Sequence, residues 1–186
     1  EDYLRLSDYA AAFLAPFNLL SMKIEMAHFR GINLDPVVRE EHLLQPCAPV
    51  MQAVLTYRLW RRLHQSGTKL SWVINWYENQ VIDKALIAGI RDAYSEMKII
   101  GSQMFIHIPN YLSLYPSQSE FEAGFTPDLL LQTGKGQCRT ALKYTHAITC
   151  RSAAALRYSH LFTERCNTKS MSTEKEAILV VLPFNM

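Results

Sequence analysis

Three times between residues 70 and 134 an apolar run ends abruptly in polar residues. Ser71-Trp72-Val73-Ile74-Asn75-Trp76-Tyr77 runs into Glu78-Asn79-Gln80, Lys98-Ile99-Ile100-Gly101-Ser102 runs into Gln103, and Leu129-Leu130-Leu131-Gln132 runs into Thr133-Gly134-Lys135. Short runs rich in β-branched and aromatic residues, separated by a helical pattern, predict parallel strands of an α/β sheet. The helical pattern is Val81, Ala85, Leu86, Gly89 and Ile90, closed by Tyr94-Ser95-Glu96. Ligands of such sheets bind beyond the carboxyl ends of the strands, so the three polar tips should gather along one edge.

The flanks follow other periods. Leu4, Tyr9, Phe13, Phe17, Leu20 and Ile24 have helical spacing, which predicts one or two helices parted near Pro16, with Ser7-Asp8 as a cap. Asp35-Pro36 starts a further helix that runs through Leu44 until Pro46 and Pro49 intervene. Val54, Leu55, Leu59 and Leu63 then share one helix face, with arginines opposite and Gly67 as the stop. Past Gln103 the chain reads as a loop to Pro116, a short capped helix from Ser117-Glu120 to Gly124, and Pro127-Asp128 leading into the third strand. A helix carrying Leu142, Tyr144 and Ala147 follows Gly134, and 153–162 reads either as a short helix or as a strand-and-loop return. The predicted fold is therefore α/β, a Rossmann-like parallel sheet flanked by helices and preceded by a helical N-terminal segment over 1–69. The α/β domain covers 70–166, the polar stretch 167–176 is a linker, and 177–186 begins with a strand-like run, the first strand of a following domain.

At 186 residues the chain suffices for one domain with a full core, and an apolar share of 49% beside 19% charged residues excludes a disordered chain. A net charge of +2 with no basic stripe interleaved with aromatics gives nucleic acid no advantage as a partner. Arg58, Arg61 and Arg62 read as a solvated helix face. Cys47, Cys138, Cys150 and Cys166 lack the paired spacing of a zinc site, which favours free thiols in a reducing, cytoplasmic compartment. The longest apolar stretch, 10–20, falls short of the ~20 residues of a membrane span. The chain starts at Glu1 without a methionine and stops just after a strand-like run, which suggests a piece of something larger.

Glu78 is the leading candidate for chemistry, because a carboxylate at the carboxyl end of a buried strand is placed as a general base would be. Its plainer reading is a cap of the following helix. Asn79 and Gln80 carry the amide groups that hold sugar hydroxyls, or else they satisfy backbone groups in a strand-to-helix turn. Asp83 with Arg91 and Lys84 with Glu78 read as surface pairs. Gln103 ends an apolar strand and must be hydrogen-bonded by a substrate or by nearby backbone. His107 is a base or, more plainly, a satisfied structural histidine. Lys135 sits in Gly134-Lys135-Gly136, which lacks the spacing of a phosphate-binding loop and reads most simply as a turn. Arg157, before Tyr158, is placed to meet an anionic group or merely to pack, and no histidine pair has the spacing of a metal site.

Several of these segments, taken in order, carry a resemblance. Trp76-Tyr77-Glu78-Asn79-Gln80 with Asp83-Lys84-Ala85-Leu86, Lys98-Ile99-Ile100-Gly101-Ser102-Gln103, Asn110-Tyr111-Leu112-Ser113-Leu114-Tyr115-Pro116, Pro127-Asp128 and Ala155-Leu156-Arg157-Tyr158 resemble a family of bacterial surface-carbohydrate biosynthesis proteins. These are glycosyltransferases of O-antigen and capsule pathways, and the resemblance covers about residues 70 to 182. It implies a two-domain enzyme of the GT-B type, with the acceptor side in the first domain and the nucleotide-sugar pocket in the second. This chain would be the first domain, with no bound metal or other cofactor, a nucleotide-sugar donor and a glycan or lipid-linked acceptor as substrates, and the inner face of the membrane as a peripheral partner. Ser102-Gln103-Met104-Phe105 departs from the Tyr-Gln-Gly-Phe or Tyr-Gln-His ending of such proteins. The rival expectation is a non-catalytic α/β scaffold that binds a glycan or another protein.

Overall fold

Four parallel strands lie side by side in the order in which the chain makes them. The computed structural model describes residues 3–23, 28–44, 47–108, 110–144 and 147–154. The elements are α1 (Leu6–Ser21), the two-residue strands β1 (His28–Phe29) and β2 (Ile32–Asn33), α2 (Asp35–Leu44), α3 (Cys47–Gln65), β3 (Trp72–Trp76), α4 (Val81–Ala93) and β4 (Lys98–Gln103). They continue with a single 3-10 turn (Leu112–Leu114), α5 (Gln118–Glu122), β5 (Leu129–Thr133), α6 (Gly134–Tyr144) and β6 (Thr149–Ala153). The main sheet is β3-β4-β5-β6, with Val73 opposite Ile99, Gly101 opposite Leu130 and Leu130 opposite Cys150. This is the expected α/β architecture, a Rossmann-like parallel sheet with helices behind a helical front.

Alternation along the strands decides which face is covered. Val73, Ile99, Leu130 and Cys150 share one face, and there they meet Ile87 and Ile90 of α4 and Ala141 of α6. Both helices thus lie on the same side of the sheet. Gly101 sits under this layer because a side chain there would meet Pro127 Cγ at 2.9 Å and the Tyr77 ring at 3.0 Å. A second layer forms where α3 crosses α4 at Gly89, whose missing Cβ would stand 2.7 Å from the Tyr57 carbonyl oxygen. The opposite face carries Trp72, Ile74 and Trp76, all exposed, and no described element covers it. Parallel sheets are ordinarily covered on both sides.

The sequence reading needs four corrections here. Pro16 does not part α1: the helix continues through it from Leu6 to Ser21, and the proline is buried against the rest of the fold. Thr149–Ala153, most of which falls between the expected helix and the return expected over 153–162, where no element is expected, is a strand paired with β5. The small strands β1 and β2, in a sheet of their own that the sequence reading did not expect, form a hairpin whose tight turn places Arg30 at φ +51° and Gly31 at φ +82°. Finally, the three arginines of α3 are not simply a solvated face. Asp8 is fully buried and accepts from Arg58 Nη1 at 2.9 Å, from Arg62 Nε and Nη2 at 2.9 Å each, and from the Arg5 amide at 2.8 Å.

That clasp joins α1 to α3, and Arg62 holds the Asp8 carboxyl far below the usual carboxylate range. A depressed folded-state pKa contributes stability above the unfolded value of ~4, and the contribution is lost as the pH falls below it. Asp8→Asn is expected to lower stability at pH 7 by about 2 kcal/mol, and by progressively less as the pH falls below ~4 toward the low folded-state pKa. Urea unfolding of both proteins across that range checks it, and parallel curves for the two would remove Asp8 from the acid response. The linker at 167–176 and the strand at 177–186 lie outside the described residues. Among the described residues no helix is long and apolar enough to cross a membrane.

Candidate functional site

The β3–α4 turn is organised by one buried carboxylate, and it is not that of Glu78. Asp83, in the first turn of α4, accepts from the Glu78 and Gln80 amides at 3.0 Å each through one oxygen, and from Asn75 Nδ2 at 2.8 Å through the other. A carboxylate in a first helical turn meets free backbone donors and the positive end of the helix dipole. Asp83 therefore takes the capping role, and the predicted surface pairs do not form: Arg91 binds the Thr126 carbonyl at 2.8 Å and Asp128 at 3.3 Å, and Lys84 pairs with Glu120.

With the cap supplied from behind, Glu78 is free to face outward. It is half-buried, and its two oxygens accept from Trp76 Nε1 at 2.7 Å and from Gln80 Nε2 at 2.8 Å. Two neutral donors fix the carboxylate and leave acceptor positions open, since an ionised carboxylate offers about four. Asn79 adopts a left-handed backbone at φ +58°, a conformation its short amide tolerates. Its side chain accepts from the Tyr77 hydroxyl at 2.8 Å and donates to the Ser113 carbonyl at 3.1 Å, which ties the turn to the loop opposite. Burial pushes the Tyr77 hydroxyl pKa up, so this phenol stays a donor.

Two hollows meet at Glu78. One, of 460 Å³, is lined by Gln52, Glu78, Asn79, Gln80, Lys84 and Ser113 among others. The second, of 420 Å³, is lined by Glu78, Phe105, Ile106, His107, Ile108 and Tyr111, with Leu114. Glu78, Tyr111 and Leu114 belong to both, so the two form a continuous crevice over the carboxyl ends of β3 and β4, one arm amide-rich and one apolar. A row of rings backs the apolar arm: Trp76 stacks on Phe105, Phe105 leans on His107, His107 meets Tyr115 edge-on, and Tyr115 stacks on Tyr144.

The other predicted residues separate. Gln103 does not face the crevice: it is fully buried, donates to the Leu114 carbonyl at 2.8 Å and accepts from Gln132. Backbone, rather than a substrate, satisfies it, and its role is to hold the 3-10 turn that walls the crevice. Gln103→Ala is accordingly expected to cost about 2 kcal/mol by stranding Gln132 and a carbonyl, with a lower melting temperature as the readout. An unchanged melting temperature would return Gln103 to the ligand side. His107 reaches the apolar arm, with Nδ1 at 3.2 Å from the Tyr115 hydroxyl and Nε2 buried without a partner among the described residues. Lys135 is exposed on the first turn of α6 and does not line the crevice, and Arg157 lies outside the described residues. Of the three expected tips at 78, 103 and 134, only Glu78 faces the crevice, joined there by His107 from the loop beyond β4; Gln103 is turned inward and the tip at 134 stands apart.

Asp83, Trp76 and Tyr111 were missed as site residues by the sequence reading. Asp83 had a legible signal, an acidic residue three positions after a polar turn. Among the described residues no group of three His, Cys, Asp or Glu side chains is placed to hold a metal ion. The fold and site define an α/β protein with an open crevice at the carboxyl edge of its parallel sheet. No family model matches the chain, and no curated protein or solved structure matches it significantly.

Proposed function

We propose that this chain is the acceptor-side half of a GT-B-type glycosyltransferase, acting in the synthesis of a bacterial surface polysaccharide with a nucleotide sugar as donor. The observation that supports the reading is the Glu78 carboxylate, fixed by Trp76 and Gln80 at the junction of an amide-rich and an apolar arm. In this reading Glu78 accepts the proton of an acceptor hydroxyl as that oxygen attacks the anomeric carbon, and the nucleoside diphosphate leaves toward a donor-side domain. Asn79 and Gln80 lie beside it with the amide groups that suit sugar hydroxyls. The order of segments that resembles surface-carbohydrate glycosyltransferases supports the same reading, which places the protein in the cytoplasm, with its glycan or lipid-linked acceptor at the inner face of the membrane.

The test incubates the full-length protein with a panel of nucleotide sugars and follows release of nucleoside diphosphate. Release from one donor, lost in Glu78→Gln, supports the transferase. Absence of release across the panel, with and without surface glycan added as acceptor, would sink it and leave the binding scaffold.

A further inference from the structure

Away from the crevice, among the described residues, two thiols lie against each other. Cys138 lies on α6 and Cys150 on β6, and their Sγ atoms are 3.3 Å apart. A cysteine sulfur is one rotatable bond from the backbone, so helix and strand docking sets this distance rather than the wandering of a long side chain. The Cys150 sulfur also stands 4.0 Å from the Cys138 carbonyl, which holds the two residues edge to edge. The sulfurs stand farther apart, at 3.3 Å, than the ~2.05 Å of a disulfide bond, a gap that small rotations of the two side chains close. Both residues are half-buried, which leaves a path for a small reagent. Cys47 is exposed on α3 and has no such neighbour among the described residues.

We propose that Cys138 and Cys150 are a reversible redox site, a dithiol that exchanges with a small-molecule disulfide to form a bridge between α6 and β6. Burial pushes the Cys150 thiol up to about 12, so Cys150 keeps its proton while Cys138 makes the first attack. Cys138, its proton lost to solvent, attacks one sulfur of the reagent, and one thiol leaves after taking up a proton. Cys150 then attacks the Cys138 sulfur of this mixed disulfide, and its proton goes with the second departing thiol. The balance is two protein thiols and one small disulfide giving one protein disulfide and two small thiols. The bridge would fasten the helix that supports the crevice wall: Gln137, beside Cys138, donates to the His107 carbonyl at 3.0 Å, and Tyr144 on the same helix stacks on Tyr115. The proposal does not depend on the transferase reading.

The test treats the whole chain, both as it stands and with Cys47→Ser and Cys166→Ser, with oxidised glutathione, then blocks remaining thiols and digests with trypsin. Cleavage after Lys135, Arg139, Lys143 and Arg151 places the two cysteines in separate peptides, 136–139 and 144–151. The expected result is these two peptides joined, an intact mass lower by two hydrogens, separation on reduction, and a melting temperature several degrees higher in the oxidised protein. Glutathione on separate peptides with no joined species, or both thiols recovered blocked, overturns the proposal.

Discussion

Glu78→Gln is expected to lower sugar transfer by a factor of about 10² to 10⁴, the range in which a positioned general base contributes. The replacement keeps the shape of the side chain and one acceptor oxygen, so the Trp76 hydrogen bond persists while proton acceptance and the hydrogen bond from Gln80 Nε2 are lost. Folding should hardly change, because Glu78 is half-buried and the turn it sits in is fastened by Asp83. Single-turnover kinetics beside a melting curve separate the two effects. Full activity in the variant would take Glu78 out of the chemistry, and a matching loss of melting temperature would make it a structural residue.

Asp83→Ala should act the other way round, costing on the order of 3 kcal/mol of stability. The carboxylate is only 5% exposed, and its loss strands the Glu78 and Gln80 amides and the Asn75 side chain. Each buried donor without a partner costs roughly 1–3 kcal/mol, and water entering at the turn recovers part of that. A fall in the urea midpoint at unchanged slope is the expected signature. Activity should fall as well, since the backbone that aims Glu78 loses its anchor. A variant as stable as the parent would mean that the turn is held by other contacts.

How much of this was legible depended on where the apolar residues lie. β3, β4 and β5 are written in Trp, Val, Ile and Leu, so their existence and parallel arrangement follow from period and spacing. β6 is Thr-Cys-Arg-Ser-Ala at the end of the described sheet, held by backbone pairing with β5 more than by burial, and such a strand leaves little hydrophobic trace. Gln103 was located correctly at a strand tip, but its orientation was missed. It lies four residues after Ile99, hence on the covered face, and strand parity could have placed it inside. Glu78 was found because it lies past the last paired residue of β3, where parity no longer binds it. The ring series from Trp76 to Tyr144 includes two contacts, Trp76 with Phe105 and Tyr115 with Tyr144, whose partners lie far apart in sequence, and no local pattern encodes such a contact.

Trp76 belongs to two places at once: its ring is on the side of the sheet without a helical layer, and its Nε1 grips the Glu78 oxygen. Any shielding of that indole from solvent alters the polarity around the carboxylate as well, so the back of the sheet and the crevice are in electrical communication through one side chain. Indole emission from Trp76, isolated by Trp60→Phe and Trp72→Phe, should therefore serve as an optical gauge of events on either side, with the further change Trp76→Phe as its dark reference.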